Sequence, residues 1–318
     1  MTERFQILSL DGGGIRGMFS AALLAHIERD LGVSITDHFD MIAGTSTGGI
    51  IALGLGLGLT PEEILSFYVD RGKSIFPVSP FRRLRHWVRN KHDPRELELA
   101  LRECFGERLI GESKRMLVIP SFDLAHSDVA LFKTAHHEDF VRDYKVPAWK
   151  VAMATAAAPT YFPGFSQIED RTLIDGGVWA NNPTMVALAE AVGVLKVPID
   201  QIRILSIGTF EEISAPPKHL TTGGLLQWVR PSAETIMAGQ NAGAKKQAQL
   251  MVGKENLVRI NPVTPKGLYQ LDAYTPKDLL GKAAMASKHE MPTIRKTFLD
   301  HKASPFVPAN PLSPEMLL

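Results

Sequence analysis

The sequence predicts an α/β protein, a three-layer sandwich with a mainly parallel central sheet. Three observations predict it. Short apolar runs of strand length alternate with stretches of helical periodicity from Phe5 to Gly208. No linker and no internal repeat interrupts that alternation. The composition, 45% hydrophobic and 22% charged, is that of an ordinary globular enzyme.

The elements follow in order. Phe5–Leu10 reads as the first strand, and a glycine turn, Asp11 to Gly17, follows it. Met18 to Leu31 carries Phe19, Leu23, Ile27 and Leu31 at helical spacing. Asp40 to Ala43 is a second strand, and Gly44 to Gly48 leads from it into a second helix. Thr60-Pro61-Glu62-Glu63 joins an N-cap, a proline at N1 and acids in the first turn, a strong helix start. Met116–Pro120 and Ala130–Thr134 read as further strands, and Val151 to Ala158 as a helix ended by Pro159. Thr172–Asp175 is a short strand before Gly176-Gly177. Asn182-Pro183 opens a helix from Thr184 to Leu195, and Arg203–Gly208 is a late strand. Leu220 to Gly253 reads as mostly helical, and Thr275-Pro276 starts another helix. One domain over residues 1–303 is expected, with a core at 5–208 and a helical part at 220–303. The Pro-rich tail, 304–318, is expected to be extended or disordered.

Charge and cysteine content narrow the function. The net charge is +1, so no global field favours a nucleic acid polymer. The single cysteine, Cys104, excludes an intrachain disulfide and fits a reducing compartment. The N-terminus shows no signal-peptide pattern, so a cytoplasmic location is expected. The longest apolar run, Gly48 to Leu59, is too short and too glycine-rich to span a bilayer, so membrane contact would be peripheral.

Chemistry concentrates in three motifs. Gly44-Thr45-Ser46-Thr47-Gly48 is a G-x-S-x-G run between a strand and a helix. In such an elbow the Ser46 hydroxyl is held exposed while the glycines admit the tight turn. The competing reading is a glycine-rich turn with Ser46 as the helix N-cap. Gly12, Gly13 and Gly14 form a turn at a helix start, where free amides gather at the positive end of the dipole. Those amides would meet a developing alkoxide, helped by the amide of Thr47. Gly12, Gly14 and Gly17 also satisfy G-x-G-x-x-G. That fingerprint lacks its acid, because Asp30 falls within a helix and Ala43 ends the second strand. A serine nucleophile needs a base. His219, His289 and His301 follow in the right chain order, but none sits in a suitable turn after a strand. Asp175, at a strand end before Gly176 and Gly177, is the better candidate. It reads equally as an aspartate capping its own turn.

Asp11-Gly12-Gly13-Gly14-Ile15-Arg16-Gly17, Gly44-Thr45-Ser46-Thr47-Gly48-Gly49 and Asp175-Gly176-Gly177 together resemble the patatin-like phospholipases. Ala156 to Pro163 and Asn181-Asn182-Pro183 resemble that family's flanking segments. The resemblance covers roughly Phe5 to Gly208. It implies a Ser46–Asp175 dyad without histidine and a sandwich related to cytosolic phospholipase A2. It implies an oxyanion hole at Gly12, Gly13 and Gly14, with Arg16 bracing the turn or adding positive charge. It implies hydrolysis of fatty-acyl esters of membrane phospholipids, with no metal and no resident cofactor.

Softer features resemble bacterial patatin-like effectors of anti-phage signalling. These are the glycine-interrupted run Ile42 to Leu59 and Leu279-Leu280-Gly281-Lys282-Ala283. That resemblance implies activation by a cyclic di- or trinucleotide, a homo-oligomer on activation, and action at the inner membrane. A phosphodiester wants cationic donors. Arg71, Lys73, Lys245 and Lys246 are candidates among many. The densest basic stretch, Phe81 to Lys91 (with Arg82, Arg83, Arg85 and Arg89), sets Phe81, Leu84 and Val88 on one helical face. It fits an anionic membrane surface or a solvated cap helix.

Overall fold

The computed structural model describes residues 4–77, 90–213, 221–228, 231–265, 268, 271–272 and 274–316. Its strands are β1 (Phe5–Leu10), β2 (Met41–Gly44), β3 (Met116–Asp123), β4 (Asp128–Lys133), β5 (Leu173–Asp175), β6 (Ile202–Ile207), β7 (Glu211–Ile213), β8 (Leu257–Ile260) and β9 (Val263–Pro265). Its helices are α1 (Gly17–Leu31), α2 (Thr47–Gly56), α3 (Pro61–Ile75), α4 (Pro94–Phe105), α5 (Ala148–Thr155), α6 (Gly177–Ala180), α7 (Thr184–Ala189), α8 (Leu225–Trp228), α9 (Pro231–Val252) and α10 (Pro276–Phe298).

The main sheet runs β4-β3-β2-β1-β6-β8, with β5 also on β3. Every pair from β3 across to β8 is parallel, while β4 and β5 run antiparallel to β3. Both faces are covered, as a parallel sheet requires. Leu8, Leu10, Ile42, Leu205 and Ile207 point into one core, which α1, α2 and α10 complete. Ile7, Met41, Ala43, Ile202 and Ile204 point into the other, against Leu188 of α7 and Val252 of α9. The three-layer sandwich expected from the sequence is present.

The topology brings β2 and β5 end to end. β4 occupies one edge of β3 from Val118 to Asp123. The other edge is shared. β2 pairs with Met116 to Val118, and β5 pairs with Ser121 to Asp123. Because β5 runs antiparallel, its last residue, Asp175, is the one that arrives nearest the end of β2. The chain leaving β2 turns there through Ser46.

α2 explains the apolar run that follows. All its residues from Thr47 to Gly56 are buried, so it has no polar face and lies behind the elbow as a core helix. α3 starts with the expected capping box between Thr60 and Glu63. The helix expected to reach Leu195 stays α-helical only to Ala189 and widens into a π turn at Glu190–Val194. That bulge carries buried Glu190, which accepts hydrogen bonds from Lys133 and His136, each at 3.0 Å.

One expectation for the C-terminal third changes. It is not only helical, because β8 joins the main sheet beside β6 and β9 pairs with β7. Arg259 interrupts β8's apolar pattern, which is why the segment does not read as a strand. The described part of the tail is extended, one of the expected alternatives, up to a 3-10 turn at Pro314–Met316, and it is pinned to the body. Arg115 donates to the Ser304 carbonyl at 2.8 Å, Ala309 N–H donates to Ala135 at 2.7 Å, and Leu312 packs on the core. In the basic stretch, residues 81–89 lie outside the described residues. Lys91 is ion-paired with Asp272 at 2.5 Å. No helix among the described residues is long and apolar enough to cross a membrane.

Candidate active site

Ser46 sits at the junction of β2 and α2 with φ 54° and ψ −123°. A non-glycine residue in this region costs of order 1–3 kcal/mol and persists only where its surroundings impose it. Here they do. Its N–H donates to Thr155 Oγ1 at 3.0 Å, and Thr155 Oγ1 donates to the Pro120 carbonyl at 2.6 Å. Thr45 N–H donates to Leu10 O at 3.1 Å, and Thr45 Oγ1 donates to Ala180 O at 2.6 Å. The Ser46 carbonyl accepts the first helical bond of α2, from Ile50 N–H at 3.0 Å. The flanking glycines are a packing requirement. A Cβ on Gly44 would strike the backbone of Gly48, and one on Gly48 would strike the carbonyl of Leu10. Ser46 occupies the N-cap position of α2, as the competing reading foresaw, but its side chain makes no capping bond.

Asp175 lies beside it. The Ser46 hydroxyl is near enough to its carboxylate to favour the ionised form. Oδ1 accepts Gly177 N–H at 2.7 Å, and Asp175 N–H donates to the Ala157 carbonyl at 3.0 Å. Asp175 does bond within its own turn, as the capping reading foresaw, and it also stands beside Ser46. Gly176 and Gly177 are needed because a Cβ on either would press on Pro120 or on Asp175 itself. Both side chains are buried, Ser46 at 8% and Asp175 at 5% exposure. Burial raises the Asp175 pKa from 3.8 to about 6, and the Ser46 hydroxyl and the bond from Gly177 hold the rise in check. A carboxylate with that affinity is suited to taking a proton near neutral pH.

The first glycine turn stands against the elbow. A Cβ on Gly12 would approach Ser46 Cβ to 3.3 Å. Gly13 and Gly14 amides have no acceptor among the described residues, and Thr47 N–H opens α2, where no intrahelical acceptor exists. Gly12 differs from expectation. Its N–H is already given to the Asn181 carbonyl at 2.9 Å, so this amide is not a free donor. Its smallness, instead, lets the turn approach Ser46. Arg16 braces the turn, donating from Nε to the Gly13 carbonyl at 3.2 Å.

The described histidines stay away from the pair. No described histidine hydrogen-bonds to Ser46 or Asp175. His301 pairs with Asp40 at 3.0 Å, at the opposite end of β2, and His289 is exposed on α10. His219 lies outside the described residues. Arg71, one candidate phosphate donor, is ion-paired with Glu103.

Several residues that shape the site are not apparent in the sequence. Thr155 is a lone hydroxyl in an alanine-rich helix, and that polarity was its only signal. Thr209 donates from Oγ1 to the Gly12 carbonyl at 2.6 Å. Arg259 forms a two-pronged ion pair with Asp11. A buried polar chain continues from Arg259 through Ser206 and Thr184 to Ser9 and Asn182.

With this geometry in hand, comparison with known proteins decides the family. Residues 8–188 match the patatin family, described as patatin-like phospholipase. The chain belongs to the patatin-like phospholipase family. A Pseudomonas aeruginosa protein named cGAMP-activated phospholipase is 38% identical over 64% of this chain and 62% of its own length. Proteins of the same name from Escherichia coli and Vibrio cholerae are 38% and 34% identical, each over 69% of this chain and over 66% and 68% of their own lengths. The chain thus spans about two thirds of the length of these relatives. The solved structure of VipD from Legionella pneumophila superposes on 93% of this patatin-like chain and 67% of its own, at 11% identity and a TM-score of 0.46. A likeness that distant carries no argument.

Proposed function

We propose that this patatin-like protein is a lipid acyl hydrolase that cleaves fatty-acyl esters of membrane phospholipids through Ser46 and Asp175. The observation that carries the reading is the Ser46 hydroxyl beside a buried carboxylate whose pKa burial raises to about 6. In the proposed first step Ser46 Oγ attacks the ester carbonyl and its proton passes to Asp175. The carbonyl oxygen becomes an alkoxide facing the amides of Gly13, Gly14 and Thr47. Collapse breaks the ester C–O bond, and Asp175 returns the proton to the departing lysolipid alcohol. Water, deprotonated by Asp175, then attacks the acyl-Ser46 ester; the bond from the acyl carbon to Ser46 Oγ breaks, Asp175 returns the proton to Ser46, and the fatty acid leaves. This sequence needs no metal and no resident cofactor.

The names of the P. aeruginosa, E. coli and V. cholerae relatives support a second layer. The activity would be switched on by a cyclic nucleotide such as cGAMP, with assembly into a homo-oligomer and peripheral contact with the inner membrane. That arrangement suits an effector of anti-phage signalling, because an unregulated phospholipase would attack its own cell.

The test is fatty-acid release from phosphatidylethanolamine–phosphatidylglycerol vesicles, with and without a panel of cyclic di- and trinucleotides. Wild type is expected to release fatty acid only with one of the nucleotides, while Ser46→Ala and Asp175→Ala release none. Equal release by all three proteins would end the mechanism. Full release without nucleotide would end the regulation and leave a constitutive lipase.

A further inference from the structure

Three of the residues that hold the first glycine turn, Thr209, Arg259 and Leu271, come from a part of the chain outside the patatin match, which stops at residue 188. Asp11, which opens the turn, is gripped by both arms of Arg259 in β8. Nη1 reaches Oδ1 at 2.8 Å, and Nη2 reaches Oδ2 at 2.5 Å. Both side chains are buried, 8% exposed for Arg259 and 3% for Asp11. Arg259 Nη1 also donates to Ser206 Oγ at 2.8 Å, which ties the grip to β6. Thr209 Oγ1 holds the Gly12 carbonyl, and a Cβ on Gly13 would collide with Thr209. At the far end of the turn, Ile15 N–H donates to the Leu271 carbonyl at 2.9 Å, and a Cβ on Gly14 would strike that carbonyl. Leu271 is anchored in turn by Asp272, which binds Lys91 at 2.5 Å and His92 Nε2 at 3.0 Å.

Three glycines in a row are the least self-supporting backbone a chain can offer. Oxyanion donors, by contrast, act only when fixed before the charge develops. The turn also carries a liability. Asp11 puts a carboxylate at the base of the loop whose amides face the alkoxide, and like charges repel strongly in a buried setting. Arg259 answers both needs. Its fork fixes the loop's first residue and its charge cancels that of Asp11.

We propose that Arg259, with Thr209 and the Leu271–Asp272 strap, is a clamp that positions the Gly13 and Gly14 amides for the reaction at Ser46. Arg259 is a positioning residue, acting through Asp11. The proposal rests on Ser46 being the nucleophile. It makes the chain beyond residue 188 part of the catalytic apparatus, and a ligand that shifted β8 or the strap would reach the site through these contacts.

The test is the rate at which an alkyl fluorophosphonate labels Ser46, with the cyclic nucleotide that supports lipid release present and at a temperature where every variant is folded. In that reaction Ser46 Oγ bonds to phosphorus and fluoride leaves, with the phosphoryl oxygen against the same amides. Arg259→Gln is expected to slow labelling by roughly tenfold to a hundredfold, the scale of a displaced oxyanion donor or a 1 Å misplacement. Asp11→Asn combined with Arg259→Gln should recover part of that loss, because it removes the unpaired carboxylate. A purely structural role would lower the thermal midpoint and leave the labelling rate of folded protein unchanged. That result for Arg259→Gln overturns the clamp. If Arg259→Gln does not fold, Thr209→Val is read the same way, with slower labelling expected and an unchanged rate overturning the proposal. A wild type that takes no label at Ser46 overturns the nucleophile assignment, and the clamp with it. A wild type that labels as fast as folded Arg259→Gln overturns the clamp alone.

Discussion

The two glycine-rich turns that meet at this site are built by opposite means. The elbow around Ser46 is held from inside residues 8–188. Its strain sits in one residue, its glycines clear each other's backbone, and its partners Leu10, Thr155 and Ala180 belong to the adjoining strand and helices. The turn from Asp11 to Gly17 is held from a distance, by Asn181, Thr209, Arg259 and Leu271. The difference teaches where each turn is vulnerable. Damage to the elbow should cost folding, whereas damage to the first turn should cost rate.

The largest effect should come from Gly48→Ala. The new Cβ would press on the backbone of Leu10 and Asp11, inside a helix start that has no room to move. A loss of several kcal/mol is expected, on the order of the worst overpacking or strain mutations, and soluble yield and urea denaturation would show it. Gly14→Ala is the matched comparison. It meets only the carbonyl of the Leu271 strap and a φ of +58°, so the protein should fold and lose activity instead. Equal unfolding by both variants would erase the contrast between the turns.

Next comes Asp175→Asn, which should stabilise the protein. Asp175 has a pKa of about 6 in the fold against 3.8 as its ordinary value. The folded state binds this proton more tightly, so the contribution to stability is fully present below pH 3.8 and is lost as the pH rises through 6. At neutral pH the ionised carboxylate therefore costs up to roughly 3 kcal/mol. Asparagine removes that cost, so the thermal midpoint should rise at pH 7 and the gain should shrink toward pH 4. A midpoint that falls at pH 7 would mean that Asp175 supports the fold rather than straining it.

The smallest effect should come from Thr155→Val. It leaves the buried Ser46 amide without an acceptor, at a cost of about 1–3 kcal/mol. Chemical denaturation measures it, and a neutral result would show that the elbow does not lean on α5.

Much of this was legible in the sequence because the signals were local. The G-x-S-x-G run, the strand before it and the helix after it specify Ser46 within a few residues. Asp175 was legible as a strand-end acid before two glycines, although its approach to Ser46 depends on β5 pairing with the far end of β3. What stayed hidden depended on contacts across long stretches of chain. Arg259 made β8 look unlike a strand, since its charge is neutralised only by Asp11, 248 residues away. The engagement of the Gly12 amide by Asn181 likewise follows from packing, since a backbone carbonyl leaves no mark on composition.

The central claim is that Ser46 is a nucleophile with Asp175 as its base. The most direct test is the pH dependence of Ser46 phosphonylation in wild type and in Asp175→Asn, with the adduct located by mass spectrometry. Labelling of wild type should rise with pH to a plateau, with its midpoint near the Asp175 pKa of about 6, and Asp175→Asn should be unlabelled across the range. Labelling of Asp175→Asn at the wild-type rate, or an adduct on any residue other than Ser46, would contradict it.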